Sequence, residues 1–265
     1  MFHKTLKILY ISHGRIDPQT HPDPTMEYYK RDLGYLNSIS TAFLTHVLNK
    51  HIREMDDRMQ VFIDPLPANT KINTMLSDLK VELNKDNISR EALRQIYYNY
   101  DSITSDIYKL AIRANEFPGS DIWGFFKRRV KDICIRDDYR NTLIILTDGY
   151  MFHEANISYR DSNTPNRSSY LTHKMIEDKG ITMNNFTHKI NEEDYGFIKA
   201  NNNLDNLEVL LIGINTNNNQ TDFEIIKMYW DKWFDEMGVT KRKYLESNLP
   251  GDNDELIKLF IWGEI

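Results

Sequence analysis

Four short segments of this 265-residue chain concentrate side chains that could do chemistry. They combine hydroxyls, carboxylates and glycines, and they are 12–17, 118–124, 148–149 and 213–217. Hydroxyl and carboxylate oxygens are the ligands that a hard cation such as Mg²⁺ accepts, partly through bound water. These segments are therefore the candidate functional loops.

A second kind of chemistry is suggested by imidazoles and carboxylates near the first and third of these segments. Such groups could hold a transition metal whose bound water acts as the nucleophile of a hydrolase. Their spacing matches no established metal motif, and interleaved prolines predict an extended loop with solvent-facing polar groups. A metal-dependent hydrolase is therefore the second hypothesis, based on His13, Asp17, His21, Asp23 and His153.

Apolar runs precede three of the loops and predict the strands that position them. LKILYI, TLIILT and LEVLLI are nearly continuous in aliphatic residues, as expected for parallel strands covered on both faces. With the shorter MQVFI, the predicted strands are Leu6–Ile11, Met59–Ile63, Thr142–Thr147 and Leu207–Ile212.

Helical apolar periodicity fills the intervals between these runs. The clearest stretches are 33–48, 122–133 and 223–237, with further helices near 105–114 and 254–262. Thr221 to Glu224 form a capping-box pattern, and Trp230 and Trp233 have the spacing of core residues. We therefore expect an α/β fold with a doubly wound, mostly parallel, Rossmann-like sheet flanked by helices, in which the strand from Leu6 is central and pairs with the strand from Thr142.

In such a sheet, ligands bind outside the carboxyl ends of the strands, close to the point where strand order reverses. We call this the carboxyl edge. The candidate loops follow the first and later strands or open a helix, so the fold would bring them together at this edge.

The order of these motifs resembles a von Willebrand factor type A domain. The motifs are a Ser-containing loop after the first strand, Gly-Ser-Asp-Ile-Trp-Gly at a helix entrance, and Thr-Asp-Gly after an apolar strand. The resemblance implies a metal ion-dependent adhesion site with Ser12, Ser120 and Asp148 as metal ligands. Tyr10 stands where that family has its leading aspartate, and Gly14 where it has a second serine. The site is thus degenerate, and we expect Mg²⁺ to bind weakly or not at all.

Two of the matched residues also have an interpretation that needs no ligand. Asp148 and Gly149 are typical turn residues, and Ser120 is a typical helix N-cap. The resemblance favours a non-catalytic protein-binding module whose partner contacts the loops 12–24, 118–121 and 148–160. Tyr10 in place of a carboxylate and the lack of a placed general base favour binding over hydrolysis.

The whole chain, 1–265, is expected to form one domain with irregular insertions at about 64–100 and 150–206. The first contains a candidate edge strand near Lys80–Leu83, and the second is rich in asparagine. The second begins at the candidate site, so it either serves recognition or is a tolerated insertion.

Composition limits the partners and the location. The net charge is −6, which disfavours nucleic acid, and the short basic run at 127–131 is interpreted as a solvated helix face. No apolar run is long enough for a membrane span, and the first residues lack signal-peptide features. With Cys134 as the single cysteine, we expect a cytoplasmic protein with an unidentified protein partner.

Overall fold

The structure is a computed structural model that describes residues 3–10, 16–114, 121–216 and 219–265. Its strands, in chain order, are β1 (His3–Tyr10), β2 (Asp56–Ile63), β3 (Val81–Asn84), β4 (Tyr139–Leu146), β5 (Arg167–Ser168), β6 (Gly196–Phe197), β7 (Leu207–Ile214) and β8 (Lys241–Glu246). Its helices are α1 (Tyr28–Leu48), α2 (Thr70–Asp78), α3 (Arg90–Ala114), α4 (Ile122–Arg128), α5 (Val130–Cys134), α6 (His173–Asp178), α7 (Phe186–Asn191), α8 (Gln220–Met237) and α9 (Pro250–Trp262).

Six strands form the main sheet in the order β3-β2-β1-β4-β7-β8. β1 is internal and pairs in parallel with β2 and β4, so that Leu6 lies opposite Met59 and Thr142. β3 pairs with β2 in the antiparallel direction and forms one edge. The predicted α/β class, the central first strand and its pairing with the strand from Thr142 are confirmed. Strand order reverses between β1 and β4.

Alternate residues of the strands point to opposite faces of the sheet, and each face has its own core. On one face, Leu6, Ile8 and Ile144 belong to a buried cluster shared with α1, α3 and α9. On the other, Leu9 and Leu143 belong to a cluster shared with α4, α5 and α8. The sheet is therefore covered on both sides, as its continuous apolar runs predict.

Helix α8 supplies the aromatic centre of the second core. Trp230 and Trp233 are fully buried, which confirms their predicted packing role. The helix begins at Gln220, and its N-cap is Asn219, whose side chain accepts hydrogen bonds from the amides of Thr221 and Asp222. The predicted capping box at 221–224 is thus wrong by two residues, because the asparagine already satisfies the first amides.

Residues 64–100 are more regular than expected. They contain α2, β3 and the start of α3, which begins at Arg90 rather than near Ser105. The side chain of Asn69 caps α2 by accepting from the amides of Lys71 and Ile72. These elements are mostly exposed to solvent, so their polar composition concealed the helical pattern.

Residues 150–206 are also not an irregular excursion. They contain α6, α7 and the two-stranded parallel ladder β5-β6. Widely spaced apolar residues anchor the segment in the second core, including Met151, Leu171, Ile176, Ile190 and Phe197. The indole Nε1 atoms of Trp123 and Trp233 both donate to the carbonyl of Ile198, at 2.8 and 3.0 Å.

Across the described ranges, no helix is both long and apolar enough to cross a bilayer.

Candidate functional site

The Thr-Asp-Gly motif forms a tight turn at the carboxyl end of β4. The amide of Gly149 donates to Thr147 Oγ1 at 3.1 Å, and the amide of Tyr150 donates to Asp148 Oδ1 at 3.0 Å. The Asp148 carbonyl accepts the amide of Asn215, 3.0 Å away, in the loop after β7. These hydrogen bonds explain why threonine and aspartate occur in this turn. They also place Asp148 at the carboxyl edge, between the loop after β4 and the loop after β7.

Helix α8 holds this turn in place. The indole Nε1 of Trp230 donates to the carbonyl of Gly149 at 2.9 Å. Gly149 has a φ of +94°, and a Cβ there would lie 3.0 Å from methyl groups of Ile214 and Ile226. Only glycine fits both the backbone conformation and the space.

Asp121 caps helix α4 at the same edge. Its Oδ1 accepts the amide of Gly124 at 2.8 Å, and its carboxylate also contacts Arg128 and the side-chain amide of Asn156. The N-cap is therefore Asp121 and not Ser120. These hydrogen bonds occupy both carboxylate oxygens of the buried Asp121, and the bond from Asn156 joins α4 to the segment after β4.

Asp64 follows β2 and lies near the Asp121 charge. Its Oδ1 accepts from Arg129 Nη1 at 2.6 Å, whereas its Oδ2 is buried without a hydrogen-bond partner. Burial raises the pKa of the Asp64 carboxyl above its usual range; the positive charge of Arg129 opposes this rise, and the negative charge of Asp121 adds to it.

The basic run at 127–131 is therefore more than a solvated helix face, because two of its arginines pair with buried carboxylates. Arg128 pairs with Asp121 and Arg129 with Asp64. The Arg129–Asp64 pair joins residues 65 apart in the sequence, so no local pattern could have indicated it.

The residues of the hydrolase hypothesis have local partners. Asp17 accepts the amide of Gln19, His21 Nδ1 lies 3.0 Å from the hydroxyl of Thr20, Asp23 pairs with Arg31, and His153 Nδ1 accepts the amide of Ala155. In the part of the chain that the structure describes, no three His, Cys, Asp or Glu side chains converge as a metal site. His13 lies outside the described residues.

Of the three ligands implied by the resemblance, Asp148 alone falls within the described residues. Ser12 and Ser120 lie outside them, as does Gly14. Asp121 and Asp17 could in principle replace the missing carboxylate, but Asp121 is engaged on both oxygens and Asp17 in a local turn. Within the described residues, Asp148 is the one carboxylate at a position that the resemblance implies.

The structure also shows a cluster around His173 that the sequence did not indicate. His173 Nδ1 lies 3.1 Å from Asp222 Oδ2 and 3.5 Å from the hydroxyl of Tyr150, while its Nε2 lies 3.4 Å from Glu177 Oε1. Burial raises the pKa of Tyr150 well above its usual range, and the charges of Asp222 and Asp148 add to this effect. Both imidazole nitrogens face carboxylates, which hold the ring in place between α6 and α8.

Apolar side chains are exposed on the loop that leaves the Asp148 turn. Phe152, Ile157 and Tyr159 retain 37%, 37% and 38% of their surface. The ring of Tyr159 lies 4.5 Å from that of Trp123, in the first turn of α4, and Lys127 Nζ lies 3.9 Å from the Tyr159 ring centre. The loop is therefore anchored at the carboxyl edge while part of its apolar surface faces solvent.

Comparison with known proteins gives no family. No family model matches the chain, and no curated protein matches it in sequence. Among solved structures, the chain is similar to an aerotolerance-related membrane protein from Bacteroides fragilis NCTC 9343, with 8% identity and a TM-score of 0.41, covering 98% of this chain and 99% of that one. It is also similar to the open conformation of the pilus adhesin SpaC from Lactobacillus rhamnosus GG, with 8% identity and a TM-score of 0.39. That match covers 99% of this chain and 29% of the adhesin. The fold class stated above is based on the sheet and its flanking helices.

Proposed function

We propose that this chain is a non-catalytic protein-binding module that contacts its partner at the carboxyl edge of the sheet. The observation that carries the proposal is the exposure of Phe152, Ile157 and Tyr159 on the 150–160 loop. Aromatic and apolar side chains exposed together on an anchored loop are typical of protein interfaces, where they supply most of the binding energy.

The state of the polar groups at this edge supports binding over hydrolysis. Asp121 and Asp64 pair with arginines, and both nitrogens of His173 face carboxylates. A general base needs a lone pair directed at the substrate, and a metal-bound nucleophile needs converging ligands. The metal-dependent hydrolase remains the competing hypothesis, since His13 belongs to its residues.

Metal dependence is part of the same proposal. Asp148 would be the protein's carboxylate ligand, and Ser12 and Ser120 its hydroxyl ligands, with an acidic group of the partner completing the shell. Mg²⁺ would then bind weakly to the chain alone and contribute only in the complex.

The test compares the exposed loop with a single exposed leucine outside it. Proteins captured by cross-linking are identified for the natural sequence, for Phe152→Ser combined with Ile157→Ser, and for the control Leu48→Ser. Leu48 ends α1 and is 68% exposed. We expect a partner that is retained by Leu48→Ser and lost by the double variant.

Two outcomes would contradict the proposal. One is equal capture by the double variant. The other is turnover of phosphoester or peptide substrates with added Mg²⁺, Mn²⁺ or Zn²⁺ that Asp148→Ala abolishes, which would favour the hydrolase.

A further inference from the structure

A groove with a cationic lining lies on the face of the sheet that carries α5. It has a volume of about 310 Å³ and runs over β1 and β2 towards β3. Its floor is set by strand register, because Lys7 lies opposite Gln60 and Arg58 lies opposite Glu82. Arg136, just after α5, contributes to its wall.

The charge of this groove is opposite to that of the chain. Five of its lining side chains are cationic and two are anionic, whereas the whole chain has a net charge of −6. Arg58 and Lys80 share Glu82, and Arg129 pairs with Asp64. Among the described residues, Lys7 and Arg136 have no carboxylate partner. The groove therefore has more positive charge than its own carboxylates neutralise.

Two atoms on its floor show that this charge is incompletely satisfied. Lys7 Nζ donates to the neutral Gln60 Oε1 at 2.7 Å, and Arg58 Nε is buried without a hydrogen-bond acceptor. Burial lowers the pKa of Lys7, and the charges of Arg136 and Lys80 lower it further. A bound carboxylate would relieve the repulsion between these cations.

We infer that this groove binds an acidic, partly apolar peptide segment of a partner protein, with carboxylates placed against Lys7 and Arg136. In an extended peptide, side chains two positions apart lie about 7 Å apart on one face, so acidic and apolar residues must alternate at every second position for both to face the groove. Phe62 and Ile133 line the same groove and can contact the apolar side chains.

A nucleic acid fits the groove less well than such a peptide does. Glu82 and Asp132 interrupt its positive surface and would repel a continuous phosphate backbone. The groove shares no residue with the 150–160 loop, so this inference stands or fails independently of the proposed function.

Fluorescence anisotropy tests the inference with a labelled peptide in which glutamate and valine alternate at every second position and serine fills the positions between them. We expect saturable binding that weakens as salt is raised and that falls at least about tenfold in a Lys7→Gln, Arg136→Gln double variant. The matched control is Arg94→Gln with Lys109→Gln, which removes the same charge from exposed positions of α3 and should leave binding unchanged.

A second measurement covers the case in which the double variant does not fold. Amide signals of β2 in the natural sequence should shift on titration with the peptide, whereas those of α9 should not. Absence of binding, equal binding of a glutamine-valine peptide, an equal loss in the control pair, or tighter binding of a single-stranded RNA would each overturn the inference.

Discussion

At the residue scale, the Thr-Asp-Gly turn depends on Gly149 having no side chain. Gly149 combines a left-handed backbone with contacts to two isoleucines and a hydrogen bond from Trp230. A rigid core element thus fixes the position of Asp148, which is what a binding loop requires of its scaffold.

Gly149→Ala should lower the free energy of unfolding by about 2–4 kcal/mol, because the methyl group adds overpacking to backbone strain. The matched control is Gly180→Ala. Gly180 also has a positive φ, +57°, but open space where the Cβ would lie. Gly180→Ala should lower the free energy of unfolding by about 1 kcal/mol, from backbone strain alone. Urea unfolding measures both, and equal losses would show that the contacts with Ile214 and Ile226 do not matter.

At the element scale, a charged cluster holds the 150–206 segment against α8. The guanidinium of Arg167 binds both oxygens of Asp194 and also Glu236, and Lys232 Nζ lies 2.7 Å from Asp194 Oδ1. Arg167 precedes α6, whereas Glu236 and Lys232 belong to α8. The cluster therefore joins the segment after β4 to the helix that fixes the Asp148 turn.

Asp194→Asn should destabilise the chain by about 1 kcal/mol at pH 7, a modest value because the carboxylate is partly exposed. Hydrogen bonds from Arg167 hold the pKa of Asp194 at about 2, below its unfolded value. Its stabilisation is therefore complete above about pH 4 and is lost as the pH falls towards 2. Asparagine tolerates the positive φ of this position, 60°, so backbone strain does not enter.

Urea midpoints of the natural sequence and Asp194→Asn, measured from pH 7 to pH 3, check this prediction. The difference between them should shrink below pH 4. Asp106→Asn, which removes an exposed pair with Lys109, is the control and should change little at any pH. A difference that stayed constant with pH would mean that Asp194 does not act through its charge.

The sequence predicted elements well where burial dominates and poorly where exposure does. β1, β4 and β7 were evident because strands covered on both faces are continuously apolar. The first half of α3 was missed because its polar residues face solvent. At the site, the Asp148 turn was recognised from local residue types. The Arg129–Asp64 pair was not, because it joins residues 65 apart and depends on tertiary packing.

At the scale of the whole molecule, a metal that binds the folded chain should raise its free energy of unfolding. A ligand that binds only the native state raises the free energy of unfolding by RT ln(1 + [L]/Kd). We expect millimolar Mg²⁺ to leave the melting temperature almost unchanged, because Asp148 is the one carboxylate expected in the shell.

A thermal-shift assay with and without Mg²⁺ measures this. A gain near 2.7 kcal/mol, the value for metal at about a hundredfold above Kd, would contradict the prediction of weak binding. If Asp148→Ala removed that gain, the implied site would be intact despite Tyr10 and Gly14. If the gain persisted, the metal would lie elsewhere, and the leading candidates would be His13, Asp17, His21 and His153.

The two borders of the main sheet determine how copies of this chain can meet. β3 has four residues, and Asn87 Nδ2 donates to its Glu82 carbonyl at 2.8 Å. β8 begins with Lys241, Arg242 and Lys243, so a strand added at this border would meet three consecutive cations. Short or charged outer strands resist strand addition. The two borders of the sheet therefore disfavour strand addition between copies of this chain, and with it growth into fibrils.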